Sequence, residues 1–227
     1  MGEDIFYGLS KAELRREIET LVAQDIRPLP AKAKVFAAVA KMQSYDRLPM
    51  LATPEELTIM SGDGATELQR GISSSAGVSA KLFASELIRG PLYPGTLTSF
   101  GQGIYLASPS AQNSNPTAKF PRFSHVAHRY AQKSSPGIMV RTVLKKGARI
   151  ASAHDLTQFL RENRNRAKDV FGALDLGTFA ASLGFDGYHC EHFEYPGEET
   201  WVMVNRTALV FQTIGLQIGP FGHSLEE

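Results

Sequence analysis

"SFGQGIYLAS", Ser99 to Ser108, sets a glycine-flanked glutamine against the short apolar run "IYLA". Gly101 and Gly103 let the backbone around Gln102 take positive φ and come close to a neighbour, and the apolar run has the make-up of a short strand. Two readings compete. In one, this is a turn entering a buried strand, with Tyr105 in the core. In the other, the loop backbone lies against a bound ligand and Tyr105 offers an aromatic face to a planar ring. The neighbouring sequence has to separate them.

Upstream the chain reads helical. In "SKAELRREIETLV", Ser10 and Glu13 form a capping box, and Leu14, Ile18, Leu21 and Val22 recur at the spacing of an amphipathic helix that Pro28 and Pro30 bring to an end. A second helix follows through Val35, Phe36, Val39 and Met42. A third starts at "TPEELTIM", with Thr53 as cap, Pro54 in the first turn and Glu56 completing another box, and Gly62 and Gly64 stop it. After Gly64 the pattern changes to short strands with single helices between them. "ATELQRGIS" is a strand, "GVSAKLFASELIRG" a helix closed by Gly90, and "SHVAHRYAQ" a helix. "GIMVRTVLKKGARIAS" is a strand with a β-rich extension, and residues 154–167 form a helix with Leu156, Phe159 and Leu160 inward. "DLGTFAASLG" is a helix capped by Asp175, and the strands "TWVMVN" and "ALVFQTIGL" finish the chain. The order argues for an α+β core over residues 66–215, behind an N-terminal helical segment (1–65) and ahead of a C-terminal tail (216–227).

Composition narrows the classes. In 227 residues, 43% are apolar and 21% charged, which suits a globular chain with a sizeable core. Twenty-four basic residues against 23 acidic leave a net charge of +1, so no global field steers the protein toward nucleic acid or an anionic membrane. Cys190 stands alone and excludes an intramolecular disulfide. No apolar run approaches the ~18 residues of a membrane span. "MGEDIFYGLS" is acidic where a signal peptide is basic, and Phe6 stands where a myristoylation signal has Ser or Thr. A soluble protein with no membrane partner is expected.

Several residue types invite chemistry. Arg70, before Gly71 at a strand end, carries a planar fork of donors suited to a phosphate or ribose. Glu198 and Glu199, at the entrance to "TWVMVN", are candidates to act on a sugar hydroxyl. His125 with His128, and "HCEH" from His189 to His192, match no common zinc spacing, so no metal is expected. No nucleophile elbow, P-loop or HExxH signature is present.

Taken in order, these motifs resemble the ADP-ribosyltransferase superfamily. "FGQGIYLAS" is similar to the G-x-G-I-Y-F-A segment of the diphtheria-toxin and poly(ADP-ribose) polymerase branch, and "SHVAHRYA" to the helix that follows it. "ELQRGIS" resembles instead the Arg-bearing first strand of the cholera-toxin-like branch. "DLGTFAASLGFDGYHC" and "WVMVNRTALVFQ" are similar to the ends of phage-encoded and polymorphic-toxin transferase domains. The resemblance spans residues 66–213 and rests on the order of short motifs.

It implies a split β-sandwich with peripheral helices and a mono-ADP-ribosyltransferase that takes NAD as substrate and no metal. Arg70 would hold a phosphate or the nicotinamide-side ribose, and the Gly71 backbone the carboxamide. Tyr105 would stack on nicotinamide with Gly103 allowing the approach, and Ser99 is the rival at this second position. An ungapped comparison puts Thr200 at the catalytic glutamate. A one-residue slip such as a β-bulge would bring Glu199 to the cleft, whereas strict alternation would leave Glu198 on Thr200's face; Glu199 is preferred. The family also implies a macromolecular acceptor, protein or RNA, a cognate immunity or inhibitor protein, and delivery by a specialised secretion system into a target-cell cytoplasm. A catalytically degenerate binding or phage-head-associated module with the same fold, and an NAD glycohydrolase, are the alternatives.

Overall fold

Short strands separated by single helices bury their apolar faces by joining one sheet, and this chain does so with mixed polarity. The computed structural model describes residues 8–74, 79–90, 101–109, 123–133, 137–171, 175–192, 195, 197–213, 216–218 and 224–225. Helices α1 (Lys11–Gln24), α2 (Ala31–Met42) and α3 (Pro54–Gly62) form the first part of the chain, with strand β1 (Met50–Ala52) between the last two. The Ser10–Glu13 and Thr53–Glu56 capping boxes are both made, each satisfying backbone N–H groups that a helix start leaves unpaired.

Then come β2 (Glu67–Ile72), α4 (Ala80–Arg89), β3 (Ile104–Ala107), α5 (His125–Ala131), β4 (Gly137–Leu144) and β5 (Ile150–Ser152). They are followed by α6 (Ala153–Glu162), α7 (Arg164–Phe171), α8 (Leu176–Ser182), β6 (Gly187–Glu191), β7 (Glu199–Met203), β8 (Leu209–Gln212), β9 (Leu216–Ile218) and β10 (Ser224–Leu225). The fold is α+β. Strands run in the order β1-β8-β4-β2-β3-β7-β6-β5, with β9 on β4 and β10 on β9. The pairs β1–β8 and β5–β6 are parallel and the other pairs antiparallel.

One junction in this order is thin. β2 pairs with β4 over its whole length, from Glu67–Val143 to Ile72–Ile138, but with β3 only through Gln69–Ala107. The sheet therefore divides into two halves, β1-β8-β4-β2 and β3-β7-β6-β5, that part beyond a single bridge.

Residues that alternate along paired strands share a face. Leu68, Ile72, Ile138 and Val140 in one half, and Ile104, Leu106, Trp201 and Met203 in the other, belong to one buried cluster with Leu14, Ile18, Phe36, Val39, Ile88 and Phe179. The N-terminal helices thus pack as part of this core, and β1 extends the sheet, so residues 1–65 are neither purely helical nor a separate body. On the opposite face, α5 covers β2 and β4, while Leu156 of α6 and Ala180 of α8 cover Tyr188 and Val202.

Arg206 ties the N-terminal part down. It is fully buried and donates from Nε, Nη1 and Nη2 to the carbonyls of Arg47, Gly90 and Asp46.

Some expectations change. The helix expected over 154–167 is two helices, α6 and α7, broken at Asn163, whose side chain donates to the Phe159 carbonyl and so competes with the next turn. Phe159 is exposed rather than inward, although its ring touches Phe179. Gly90 closes α4 as expected, with its N–H on the Glu86 carbonyl and an extended backbone, φ −74.

Candidate functional site

The glycines of "FGQGIYLA" have the backbone freedom expected of them, φ +92 at Gly101 and +151 at Gly103. The neighbour they approach is protein. A Cβ on Gly101 would lie 2.7 Å from Gly177 N and 2.8 Å from Asp175 Oδ1, and one on Gly103 would lie 2.6 Å from Val202 Cγ1. Gln102 N donates to Asp175 Oδ1 at 2.8 Å, so the turn is clamped on the start of α8. Tyr105 leans on the cluster around Tyr188 and Val202, and its hydroxyl donates to the Gly101 carbonyl. Its ring is a wall of the fold. Ser99 lies outside the described residues.

Arg70 occupies the parting of the two halves. Its Nη1 donates to the Tyr105 carbonyl at 3.1 Å, a backbone group that β2 does not pair. Among the described residues the guanidinium makes no further hydrogen bond and no ion pair. Burial pushes it below the ordinary arginine value, though a guanidinium stays cationic. A half-buried cation with spare donors is well placed to receive an anion. Gly71 backs onto α5, where a Cβ would lie 1.7 Å from the Ala127 carbonyl oxygen. Glycine there lets the helix lie directly on the strand.

The ladder from β7 to β6 settles the register of the two glutamates. Glu191–Glu199, Cys190–Thr200 and His189–Trp201 pair in unbroken sequence, and Thr200 pairs with Ala107 on the other side, so no bulge intervenes. Glu199 consequently faces away from Thr200 and toward the side that carries Trp201, Leu106 and Arg70. The bulge that would have brought Glu199 to Thr200's face is absent because Glu199 N donates to Ser108 Oγ, and Ser108 N to the Glu199 carbonyl, which hold the strand entrance in regular register. From the strand spacing, Arg70 and Glu199 stand roughly 12 Å apart on that side. They do not pair with each other: Arg70 turns to the Tyr105 carbonyl and Glu199 to His189 and Trp201.

Glu198 has another task. It is buried, and its carboxylate accepts from Ser124 Oγ at 2.6 Å, His125 N at 2.7 Å and Val126 N at 3.3 Å, capping the start of α5. Ser124 N donates to Gln69 Oε1, Gln69 Nε2 to Glu67 Oε1, and Arg141 forks onto both Glu67 oxygens at 2.9 Å. This chain of bonds fixes α5 over the bridge between the halves.

Glu199 is more open. Its Oε1 lies 3.0 Å from His189 Nδ1 and its Oε2 accepts from Trp201 Nε1 at 3.1 Å. The His189 and Trp201 rings stack with centroids 4.9 Å apart. Cys190 points to the other face; burial, then the Glu199 carboxylate, push its thiol above the ordinary value, so it is no ready nucleophile. Burial and His125 lower His128. Among the described residues no group of three or more His, Cys, Asp or Glu could hold a metal ion, and no helix is long and apolar enough to cross a membrane.

The structure thus brings Arg70 to the Tyr105 backbone and sets Glu199 on Arg70's side, while Tyr105's ring, Gly71 and Thr200 belong to the opposite face. No local pattern in the sequence marks His189, Trp201 and Ser124 as partners of the glutamates. Strand alternation puts His189 and Glu199 on definite faces, but their proximity depends on pairing between strands, which no local pattern encodes. Against known proteins the chain has no match among family models, curated sequences or solved structures.

Proposed function

We propose that this chain is an NAD-consuming mono-ADP-ribosyltransferase of the toxin or effector kind, built on an ADP-ribosyltransferase-like split β-sandwich. The observation that carries the reading is Arg70: a half-buried guanidinium with one hydrogen bond among the described residues, set where the sheet parts and sharing a side with an accessible carboxylate, Glu199. A dinucleotide supplies what that pair lacks. Its diphosphate is the anion for Arg70, and its nicotinamide-side ribose offers hydroxyls to Glu199.

In this mechanism Arg70 binds the phosphates, and the open edge of β2 at Gly71 receives the carboxamide. Glu199 accepts from the ribose 2′-hydroxyl and stabilises the positive charge that develops at C1′ as nicotinamide leaves, an electrostatic role that preorganised groups perform well. The acceptor is a macromolecule, protein by default and RNA as the other class, with a cognate inhibitor protein as a further partner.

A second reading keeps the fold without the transfer. Thr200 standing at the expected glutamate, and Glu198 being consumed as a helix cap, favour it.

Incubation with NAD and measurement of nicotinamide release decides between them. Release should occur and fall by about 100-fold or more in Arg70→Ala, a loss of the size that follows removal of a charged ligand contact. Absence of release from the wild-type protein, with and without candidate acceptors, would refute both enzyme readings. Release with no labelled acceptor would identify a glycohydrolase.

A further inference from the structure

Glu199 is held at both oxygens, and one of the two groups holding it has a second function available. His189 and Trp201 pair across β6 and β7, and Glu199 is the diagonal neighbour of His189 on the same face. Trp201 Nε1 donates to Oε2 at 3.1 Å and stacks on the imidazole with the ring planes 20° apart, which fixes the plane of the His189 ring. His189 Nδ1 lies 3.0 Å from Oε1. The other nitrogen, Nε2, has no hydrogen-bond partner among the described residues, and the side chain is 34% exposed. A carboxylate can only accept, so the hydrogen in the 3.0 Å contact belongs to Nδ1. Neutral His189 then carries its lone pair on Nε2, in a side chain that is partly open to solvent.

We propose that His189 is the general base of this site, and that the group it serves is a hydroxyl. The proposal rests on the NAD reading above. A hydroxyl oxygen attacks C1′ of the nicotinamide-side ribose while the C1′–N1 bond breaks. The electron pair of that bond leaves with nicotinamide and neutralises its pyridinium charge. The hydroxyl proton passes to His189 Nε2 and from there to solvent, so NAD and an alcohol or water give the O-linked ADP-ribosyl product, nicotinamide and a proton. Glu199 keeps the imidazole in the required tautomer and stabilises the imidazolium that forms, while its remaining lone pairs serve the ribose. The chemistry also selects the acceptor. An imidazole cannot deprotonate a guanidinium, and a thiolate needs no base, whereas a hydroxyl gains from losing its proton as the new bond forms.

Two measurements test this. In histidine-labelled protein, nitrogen NMR should find neutral His189 protonated on Nδ1, and Glu199→Gln should redistribute that proton; a neutral His189 protonated on Nε2 in the wild type overturns the proposal. In NAD turnover, His189→Gln should lower nicotinamide release about 100-fold, with water alone and with methanol as the added hydroxyl. Azide, an anion that needs no deprotonation, should restore release with formation of ADP-ribosyl azide. Methyl ADP-riboside from the wild type identifies an alcohol as an acceptor, and ADP-ribose identifies water. Release that survives His189→Gln within about threefold, or that azide fails to restore, refutes the base role and leaves the NAD reading standing. A wild-type protein that keeps the Nδ1 tautomer yet releases no nicotinamide refutes the NAD reading, and this proposal with it.

Discussion

Exchanging each of the two adjacent glutamates for glutamine should separate a structural from a functional carboxylate. Glu198 accepts hydrogen bonds from Ser124 Oγ, His125 N and Val126 N at 2.6, 2.7 and 3.3 Å in a buried setting. A glutamine with its oxygen in the Oε2 position keeps the bonds from Ser124 and Val126 as weaker bonds to a neutral acceptor, and sets its NH2 against the His125 N–H, so one bond to a charged group is lost outright and two are weakened. At about 1.5–3 kcal/mol for each such bond, with the remaining amide able to adjust, Glu198→Gln should cost about 2–4 kcal/mol. In a domain of this length each kcal/mol moves Tm by about 2–4 °C, so a fall of roughly 5–15 °C is expected by calorimetry. Glu199 is exposed enough that its two contacts contribute little to stability, and Glu199→Gln should unfold within about 3 °C of the wild type. The same two variants assayed for nicotinamide release at 20 °C, where both are folded, should show the reverse order, with Glu199→Gln the more impaired. A Glu198→Gln protein as stable as the wild type, or a Glu199→Gln protein that melts equally early, would refute the division of roles.

Two further expectations concern the frame around the site. Replacing Arg206 by Met leaves the carbonyls of Asp46, Arg47 and Gly90 without their shared donor, at a cost of about 3–5 kcal/mol in urea unfolding, and Arg206→Lys should recover only part because an ammonium lacks the planar fork; a loss below about 1 kcal/mol contradicts this. Asp25 accepts from Arg27 at 2.6 and 2.8 Å, and that guanidinium holds its carboxyl at about 2. A carboxylate whose folded value is depressed adds stability that is present above the unfolded value near 4 and is lost as pH falls through about 2. Since Arg27 is partly exposed, screening reduces this to roughly 1 kcal/mol, and melting curves of Asp25→Asn between pH 4 and pH 2 should be flatter than those of the wild type by that amount; parallel curves would exclude the contribution.

What the sequence discloses follows from how local each cause is. Both capping boxes involve residues three apart, so Ser10–Glu13 and Thr53–Glu56 are readable directly and are made. The apolar runs of β3, β4 and β7 are likewise local. β1 is not legible in the sequence because Met50–Ala52 is only three residues long and lies on the sheet edge, with Met50 and Leu51 exposed. The parting between β2 and β3 is invisible locally because it is the failure of two strands to pair. Glycines at Gly101 and Gly103 signal a close approach without naming the neighbour, and here the neighbours are α8 and β7.

The ladder also explains why adjacent identical residues can serve different ends. In a strand with period two, neighbouring side chains meet different surroundings by necessity. Glu198 turns to the face where α5 begins, and the start of a helix offers N–H groups that a carboxylate satisfies. Glu199 turns to the face of Trp201 and His189. Because the two share a peptide bond, the cap that anchors α5 also anchors the backbone that carries the accessible carboxylate: Ser124, His125 and Val126 hold residue 198, Ser108 holds the backbone of residue 199, and His189 and Trp201 engage the Glu199 side chain. A carboxylate placed by contacts on both sides of its strand starts close to its working geometry, which is the condition under which electrostatic stabilisation of a developing charge is most effective.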